Sequence, residues 1–402
     1  MSEERTEDSI LQRIRLMCRR VEAVQELGEY FYNLPVLELR GNSRVVVDGR
    51  EMAMFASYGY LGLLGHPRIN AAAQAAIERF GTGTHGVRSL AGSLTIHREL
   101  EETIAAFKGT EAAITFSSGY VTNLSVVSTL VGRRDYVFSD KLNHASIVDG
   151  CLLSGARFVR FRHNDIDDLE ARLQAAPGEA AKLVVADAVF SMDGDITDLP
   201  RMVKACRRHG AWLMIDEAHS LGVLGETGHG IEEHFDMPGA IDIKMGTLSK
   251  TIPSVGGYIA GKADLVCYLR HSSRAYIFSA ALPPAQAAAA CEAFRVIEDE
   301  PWRVQSLQRN TSLFHSALRE RGLNTMNSET AIVPVLCGSD ELAFRMTREA
   351  HHEGVFVLPV VSPAVPEGLA RLRATVTAGH EPQDIERAVD VFARAARTVG
   401  LL

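Results

Sequence analysis

Cysteine is scarce in this sequence and never occurs as a close pair. The six cysteines among 402 residues lie far apart, with no C-x-x-C spacing. This spacing excludes a small disulfide-rich scaffold and is typical of buried thiols in a reducing compartment. We therefore expect a cytoplasmic protein.

Long apolar runs and an apolar leader are also missing. No stretch approaches the roughly 18 consecutive apolar residues that a membrane-spanning helix needs. The first ten residues, MSEERTEDSI, are charged and carry none of the apolar core of a secretory signal. We expect neither a secretory leader nor an integral membrane segment.

Positive charge is not in excess, because 42 Lys and Arg face 50 Asp and Glu, which gives a net charge of −8. A broad basic face for nucleic acid is therefore not expected. Hydrophobic residues make up 46% and charged residues 23% of the chain, the proportions of a globular protein. The length suits two or three packed domains and is typical of an enzyme.

Short apolar runs alternate with amphipathic stretches through the middle of the chain. This pattern predicts an α/β fold with a mostly parallel sheet covered on both faces. In such sheets chemistry collects beyond the carboxyl ends of the strands. The predicted strands are residues 112–118, 135–140, 157–161, 182–190, 212–219 and 241–246.

Three segments are expected along the chain. Residues 1–50 form an N-terminal segment, helical over its first forty residues and then stranded. Residues 51–288 form a large domain that contains the parallel sheet. Residues 289–402 form a smaller α+β domain with its own strands and a final helix from Pro382 to Val399.

Two polar positions at predicted strand ends are candidates for chemistry. Asp216 ends an apolar strand and is followed three residues later by His219. A buried carboxylate there needs a cationic partner, although a strand-end acid can also simply cap a turn. Lys250 lies among hydroxyls and glycines in MGTLSKT, where it suits a phosphate contact or a Schiff base with a carbonyl; a lone lysine is more often a solvated surface residue.

Two further positions follow other strands. His144, in NHAS, could stack on a planar ring or act as an acid or base, although a single histidine is more often structural. Gly119 and Tyr120 follow a strand and open a helix, so that backbone N–H groups there can bind an anion. This strand-glycine-helix signal is weak by itself because it is common in α/β proteins.

Two other functions are disfavoured. Residues 216–219 spell the DEAH of a helicase, and the Walker A spacing ends at Lys262, but Ala263 replaces the hydroxyl that would hold Mg²⁺ and the two motifs come in the wrong order. Neither His351-His352-Glu353 nor the pair His229 and His234 has metal-ligand spacing with a third partner. We predict no metal site.

Pyridoxal 5′-phosphate (PLP) suits the combination of an acid, an imidazole, a lysine and an anion-binding helix start. This cofactor needs an amine for its aldehyde, an acid for its ring nitrogen and donors for its phosphate.

The chain also resembles the α-oxoamine synthases, PLP enzymes of fold type I (the aspartate-aminotransferase-like fold), from about Phe55 to Val399. Within that family its motifs are most similar to bacterial soluble serine palmitoyltransferases. The motifs are SYGYLGL (57–63), FSSGYVTN (116–123), NHASIVDG (143–150), ADAVFSMDGDITDLP (186–200), MIDEAHSLGVLGETGHG (214–230), MGTLSKTIPSVGGYIAG (245–261) and RLRATVTAGHE (371–381).

The resemblance implies roles for individual residues. Lys250 would bind the cofactor as a Schiff base and later transfer the α-carbon proton, and Asp216 would pair with the ring nitrogen. His144 would stack on the ring and touch the substrate, and Arg373 would hold its carboxylate. The remaining cofactor-binding residues implied are His219 and Ser191 at the ring hydroxyl, Gly119, Tyr120, Thr247 and Ser249 at the phosphate, and Ser279 reaching over from a partner subunit.

The implied activity is the decarboxylative condensation of a small L-amino acid with an acyl thioester by a homodimer. L-Serine with a long-chain acyl-CoA is our leading pair. Glycine or alanine with an acyl-carrier-protein thioester, and an aminotransferase on the same fold, stay open as alternatives. A non-catalytic partner subunit is disfavoured because Lys250 is present. Gly59 and Ala280 depart from the Asn and Thr that many relatives carry, which leaves the substrate open.

Overall fold

The computed structural model describes residues 9–26, 38–39 and 41–402. The strands, in chain order, are β1 (Glu38–Leu39), β2 (Arg44–Val47), β3 (Arg50–Met54), β4 (Ala112–Phe116), β5 (Tyr136–Asp140), β6 (Arg157–Phe161), β7 (Lys182–Asp187), β8 (Trp212–Asp216), β9 (Ile243–Ser249), β10 (Pro253–Gly261), β11 (Ile332–Gly338), β12 (Val355–Phe356), β13 (Leu358–Val360) and β14 (Ala370–Thr375). The helices are α1 (Ser9–Glu26), α2 (Pro67–Phe80), α3 (Thr95–Phe107), α4 (Gly119–Leu130), α5 (Ala145–Ser154), α6 (Ile166–Ala175), α7 (Leu199–His209), α8 (Ile231–His234), α9 (Ala263–Ser272), α10 (Arg274–Phe278), α11 (Pro284–Asp299), α12 (Trp302–Glu320), α13 (Asp340–His352) and α14 (Pro382–Thr398).

A seven-stranded sheet with the order β4-β10-β9-β8-β7-β5-β6 forms the centre of the large unit. The pairs from β9 to β6 are parallel, and β10 runs antiparallel to both of its neighbours. The prediction of a mostly parallel sheet is confirmed, and each predicted strand is present. Strand β10 was not predicted, because its sequence, PSVGGYIAG, carries glycines in place of a continuous apolar run.

One glycine of β10 brings helix α4 close to the sheet. A Cβ on Gly257 would lie 2.7 Å from the Cα of Gly119 and 2.9 Å from its nitrogen. Because a side chain there would collide with backbone, this glycine permits the start of α4 to pack directly on β10. The strand thereby sets where the first amides of α4 lie.

Two smaller sheets are built from the chain ends. Strands β11, β14 and β13 form an antiparallel sheet, and β1, β2, β3 and β12 form a second sheet in which β12 pairs parallel with β3. The smaller C-terminal sheet unit of the predicted fold is therefore confirmed. The domain boundaries at residues 50 and 288 stay a prediction.

The N-terminal helix was predicted from residue 1 to residue 40. Helix α1 confirms it for residues 9–26, but it is wrong for residues 38–39, which form strand β1 because they pair with β2. Residues 1–8, 27–37 and 40 of the prediction lie outside the described residues. Ile10, Ile14 and Met17 on this helix are exposed in the chain. No helix in the described part of the chain is long and apolar enough to cross a membrane.

Candidate active site

Two carboxylates end neighbouring parallel strands. Asp187 at the end of β7 lies in register with Asp216 at the end of β8, and both side chains are buried. Parallel strands end at one edge of a sheet, so two strand-end acids are brought side by side. Burial, followed by the charge of Asp216, raises the pKa of Asp187 well above its usual range.

Helix α4 supplies the hydrogen-bond partner that holds Asp216. The amide Nδ2 of Asn123 donates to Asp216 Oδ2 at 2.7 Å and to Ser146 Oγ at 3.0 Å. The backbone N–H of Ala218 donates to Asp216 Oδ1 at 2.9 Å. Each carboxylate oxygen therefore has one fixed donor, and Asp216 still lines the cavity described below.

His219 lies between a lysine and a tyrosine. Its Nε2 is 2.8 Å from Lys250 Nζ, and its Nδ1 is 2.6 Å from the hydroxyl of Tyr60. Burial lowers the pKa of Lys250 to about 8, against the opposing charges of Asp216 and Asp187. The neutral amine, which is the nucleophilic form, is therefore more abundant near neutral pH than for an ordinary lysine, although the ammonium form still predominates.

His144 caps helix α5 and also lines the cavity described below. Its Nδ1 lies 2.7 Å from Ser146 Oγ, and its backbone N–H donates to Asp187 Oδ2 at 2.9 Å. Burial lowers its pKa, with the charge of Lys250 adding to this and that of Asp216 opposing it. The imidazole is therefore neutral at pH 7 and presents an uncharged ring.

An anion site is formed where helix α4 begins. The amides of Gly119 and Tyr120 start this helix, at its positive end. Facing them, Thr247 Oγ1 lies 2.9 Å from Ser249 Oγ, and a Cβ on Gly119 would lie 2.9 Å from Thr247 Oγ1. The glycine thus lets the helix amides and the hydroxyls approach one another closely.

Arg373 crosses from β14 to the loop that carries Ser191. Its Nε donates to the Ser191 carbonyl oxygen at 2.6 Å, and its Nη1 donates to Thr375 Oγ1 at 3.1 Å. Its Nη2 is buried and has no hydrogen-bond partner among the described residues. A buried donor without a partner is costly, so this nitrogen is available for an anionic ligand.

The ring of Tyr58 lies against both basic residues of the site. Its centroid is 4.8 Å from the guanidinium carbon of Arg373 and 5.6 Å from Lys250 Nζ. Tyr58 is partly exposed. The ring therefore forms an aromatic wall next to the lysine and the arginine.

A cavity of about 240 Å³ joins most of these groups. The predicted residues that line it are Gly119, Tyr120, His144, Ser191, Asp216, His219, Thr247, Ser249 and Lys250. Arg373 does not line it, although it donates to the carbonyl oxygen of Ser191, which does. Ser279 does not line it either, because in this chain it lies beside a different cavity with Ala280 and Arg88. Its contact with a partner subunit stays a prediction.

Sequence analysis missed four residues of the site: Tyr58, Tyr60, Asn123 and Asp187. A signal existed for Asp187, because it is the acidic residue that interrupts the apolar run of the predicted strand 182–190. The two tyrosines stand in the quoted SYGYLGL segment, where only the departure at Gly59 was noted. Asn123 gave no signal, because its partner Asp216 is 93 residues away.

The polar groups that line this cavity fit PLP. They combine a buried amine of lowered pKa at Lys250, a fixed carboxylate at Asp216, and helix amides facing two hydroxyls at Gly119 and Thr247. The amine matches the aldehyde of PLP, the carboxylate matches its ring nitrogen, and the helix amides with the hydroxyls match its phosphate.

Comparison with known proteins agrees with this chemistry. Residues 50–392 match the family described as Aminotransferase class I and II. The chain is 46% identical over 390 residues to 8-amino-7-oxononanoate synthase of Geobacter sulfurreducens, which covers 96% of this chain and 100% of that one. It is 42% identical over 374 residues to serine palmitoyltransferase of Sphingobacterium spiritivorum, which covers 93% and 94%.

Solved structures give the same answer. Serine palmitoyltransferase from S. paucimobilis, with bound PLP-myriocin aldimine, superposes with a TM-score of 0.95 at 36% identity and covers 98% of this chain and 100% of that one. The Sphingomonas wittichii serine palmitoyltransferase gives 0.95 at 35% identity with the same coverage. The chain therefore belongs to the class I and II aminotransferase family of fold type I and, within it, to the α-oxoamine synthases. It is a PLP-dependent acyltransferase.

Proposed function

We propose that this enzyme condenses L-serine with a long-chain acyl-CoA and releases CO₂ and free CoA. The observation that carries the proposal is that one cavity is lined at once by Lys250, Asp216, His144 and the start of α4. Relatives named serine palmitoyltransferase, similar over almost the whole chain, support this substrate pair.

The bound cofactor supplies an aldehyde for the substrate amine and a ring that accepts the electron pair left on the α-carbon. Lys250 would hold the cofactor through Nζ, and the same nitrogen would accept the α-carbon proton of the substrate. Its lowered pKa, about 8, suits this exchange, because the ideal pKa of a general base lies near the working pH.

Asp216 would keep the ring nitrogen protonated, and the amide of Asn123 holds the carboxylate in place for this contact. His219 and Ser191 would bind the ring hydroxyl, and His144 would pack on the ring face. Gly119, Tyr120, Thr247 and Ser249 form the phosphate site described above.

Arg373 binds the substrate carboxylate through Nη2, the nitrogen that has no partner among the described residues. Its Nε and Nη1 are already used to fix the side chain. A planar guanidinium held in this way is well suited to a carboxylate. The cavity of about 240 Å³ must hold the cofactor as well, which favours an amino acid with a small side chain.

A second candidate pair is alanine or glycine with an acyl-carrier-protein thioester or an acyl-CoA. The observation that favours it is the 46% identity to a relative named 8-amino-7-oxononanoate synthase. Gly59, which cannot offer the amide that many relatives carry there, leaves room for a changed contact near the amino acid.

We also propose that the enzyme is a homodimer of the cytoplasm. Leu90 and Phe278 are 84% and 72% exposed. Phe278 precedes Ser279, and Ser89, next to Leu90, donates to the carbonyl oxygen of Ile277. A second copy that covers this surface would bring Ser279 towards a neighbouring phosphate site. The six free cysteines suit a reducing compartment. Light scattering of the purified protein tests the dimer, and a monomeric mass at working concentration would contradict it.

The substrate test follows the visible spectrum of the holoenzyme during titration with L-serine, glycine and L-alanine. Each titration is repeated with palmitoyl-CoA while free CoA and CO₂ are measured. We expect the spectrum to change with L-serine, and CoA to appear only when both substrates are present. Release of CoA with alanine but not serine would replace the proposed pair by the second candidate.

Lys250→Ala is the matched control, and it should lose both the absorbance of the Schiff base with the lysine and the turnover. Formation of a keto acid from the amino acid alone, without CoA release from any thioester, would indicate transamination and contradict the proposal.

A further inference from the structure

Tyr60 is buried beside the active site without lining the cavity. Its side chain is 0% exposed, and its backbone is fixed by hydrogen bonds to Tyr58 and from Ala378, with N···O distances of 2.9 and 2.7 Å. Its ring meets the ring of His219 edge-on, with centroids 6.1 Å apart. The phenol is therefore held in one place by the packing of the chain.

The Tyr60 hydroxyl is the first member of a chain of three polar groups. It lies 2.6 Å from His219 Nδ1, and His219 Nε2 lies 2.8 Å from Lys250 Nζ. Burial lowers the pKa of His219 well below its usual range, and the charges of Lys250 and Arg373 lower it further. A neutral imidazole carries one proton, so one of its nitrogens donates and the other accepts.

The phenol determines which nitrogen accepts. Burial raises the pKa of Tyr60 to about 12, so the hydroxyl keeps its proton. The positive charge of Arg373 near Tyr60 favours an orientation in which the phenol oxygen faces the arginine and its proton points away. The acceptor in reach is then Nδ1 of His219, which leaves the imidazole proton on Nε2.

We propose that Tyr60 is a positioning residue that keeps the imidazole proton of His219 on Nε2, directed at Lys250 and at the cofactor oxygen beside it. The inference rests on the proposed roles of Lys250 and His219. An Nε2–H group can donate to a neutral amine, which has a lone pair, but not to an ammonium group, which has none. Tyr60 therefore favours the neutral form of Lys250 through His219.

Removal of the phenol should reverse this preference. In Tyr60→Phe, Nδ1 loses its donor, and the imidazole is free to place its proton on Nδ1. Nε2 then accepts a proton from the lysine nitrogen and stabilises its charged form. We expect the midpoint of the pH titration of the visible absorbance, which reports protonation of the linkage between Lys250 and the cofactor, to rise by about one pH unit.

Tyr258→Phe is the matched control. Tyr258 is also 0% exposed, and its buried hydroxyl has no hydrogen-bond partner among the described residues. Loss of this hydroxyl should leave the midpoint where it is in the wild type. An equal shift in both variants would overturn the proposal, because it would indicate a general effect of core substitution.

A double-mutant cycle tests whether Tyr60 acts through the imidazole. In a His219→Asn background, Tyr60→Phe should shift the midpoint no further. A shift that persists there would overturn the proposal, as would an unchanged midpoint in Tyr60→Phe itself when cofactor content and melting temperature are retained. Loss of the Schiff-base absorbance and of turnover in Lys250→Ala tests the proposed function separately.

A measurement on the wild type keeps the proposal testable if Tyr60→Phe does not fold. In holoenzyme labelled with ¹⁵N-histidine, the signals of His219 are identified by their loss in His219→Asn. We expect a protonated Nε2 and an unprotonated Nδ1. The reverse pattern would overturn the proposal.

Discussion

Arg373→Lys separates the two uses of this arginine. The guanidinium donates through Nε to Ser191 and through Nη1 to Thr375, while Nη2 has no hydrogen-bond partner among the described residues. A lysine keeps the positive charge, but its single ammonium group cannot hold the loop and bind a carboxylate in a fixed plane at once. The substitution should therefore weaken binding of the amino acid.

The size of the effect on amino-acid binding follows from the loss of one hydrogen bond, from Nη2 to the substrate carboxylate. A hydrogen bond to a charged group contributes about 1.5–3 kcal/mol. At about 1.4 kcal/mol for each factor of ten, this corresponds to a rise of about 10- to 150-fold in KM for the amino acid. Because the carboxylate keeps its charge through the reaction until CO₂ leaves, kcat should fall much less than KM rises.

The assay is steady-state release of free CoA at saturating acyl thioester, with the amino acid varied. Arg371→Lys is the matched control, because Arg371 donates to Met192 O and Asp193 Oδ1 of the same loop, at 3.2 and 2.7 Å. Unlike Arg373, it already has a carboxylate partner, Asp193. Arg371→Lys should lower the melting temperature while changing KM little. An unchanged KM in Arg373→Lys, or an equal rise in Arg371→Lys, would refute the assignment of the carboxylate to Arg373.

Three further predictions concern charge. Because burial lowers the pKa of Lys250 to about 8, apoprotein should rebind PLP faster as the pH rises through about 8. Stopped-flow absorbance measures the rebinding rate, and a rate that does not change with pH would contradict this. Asp216→Asn should keep bound cofactor but lower kcat by about 10- to 150-fold, the loss of one charged hydrogen bond, and an unchanged kcat would remove its role at the ring nitrogen. Burial opposes a charge on His163, but hydrogen bonds to Asp140 and Asp195 raise its pKa to about 10, against about 6.5 in the unfolded chain. The contribution of charged His163 to stability is therefore complete below about pH 6.5 and is lost as the pH rises towards 10. In urea unfolding, His163→Gln should reduce the free energy of unfolding more at pH 6 than at pH 9.5. Equal reductions at the two pH values would contradict the prediction.

Much of the fold and several site residues could be predicted from local pattern. Apolar runs that end in Asp216 and precede Lys250 mark strands and their polar ends, because a buried strand excludes charge until it reaches the sheet edge. The glycine at position 119 after a strand marks the start of a helix and an anion site. These signals lie within a few residues of one another, where sequence is directly informative.

Other features depend on partners that are distant in the chain. Gly-rich β10 is a strand because β4 and β9 hydrogen-bond to it on both sides, and β3 pairs with β12 some 300 residues later. Neither pairing has a local signature. Both are decided by which apolar surfaces can be buried together.

The contacts that fix the orientation and protonation of the site residues also depend on partners that are distant in the chain. Asn123 is on a helix that reaches Asp216 only after the sheet has formed, and Tyr60 reaches His219 across 159 residues. The sequence by itself determined which chemical groups the enzyme has and at which strand ends they lie. Only the tertiary structure decided which neighbours fix their orientation and protonation, because a hydrogen bond depends on distance and direction in space.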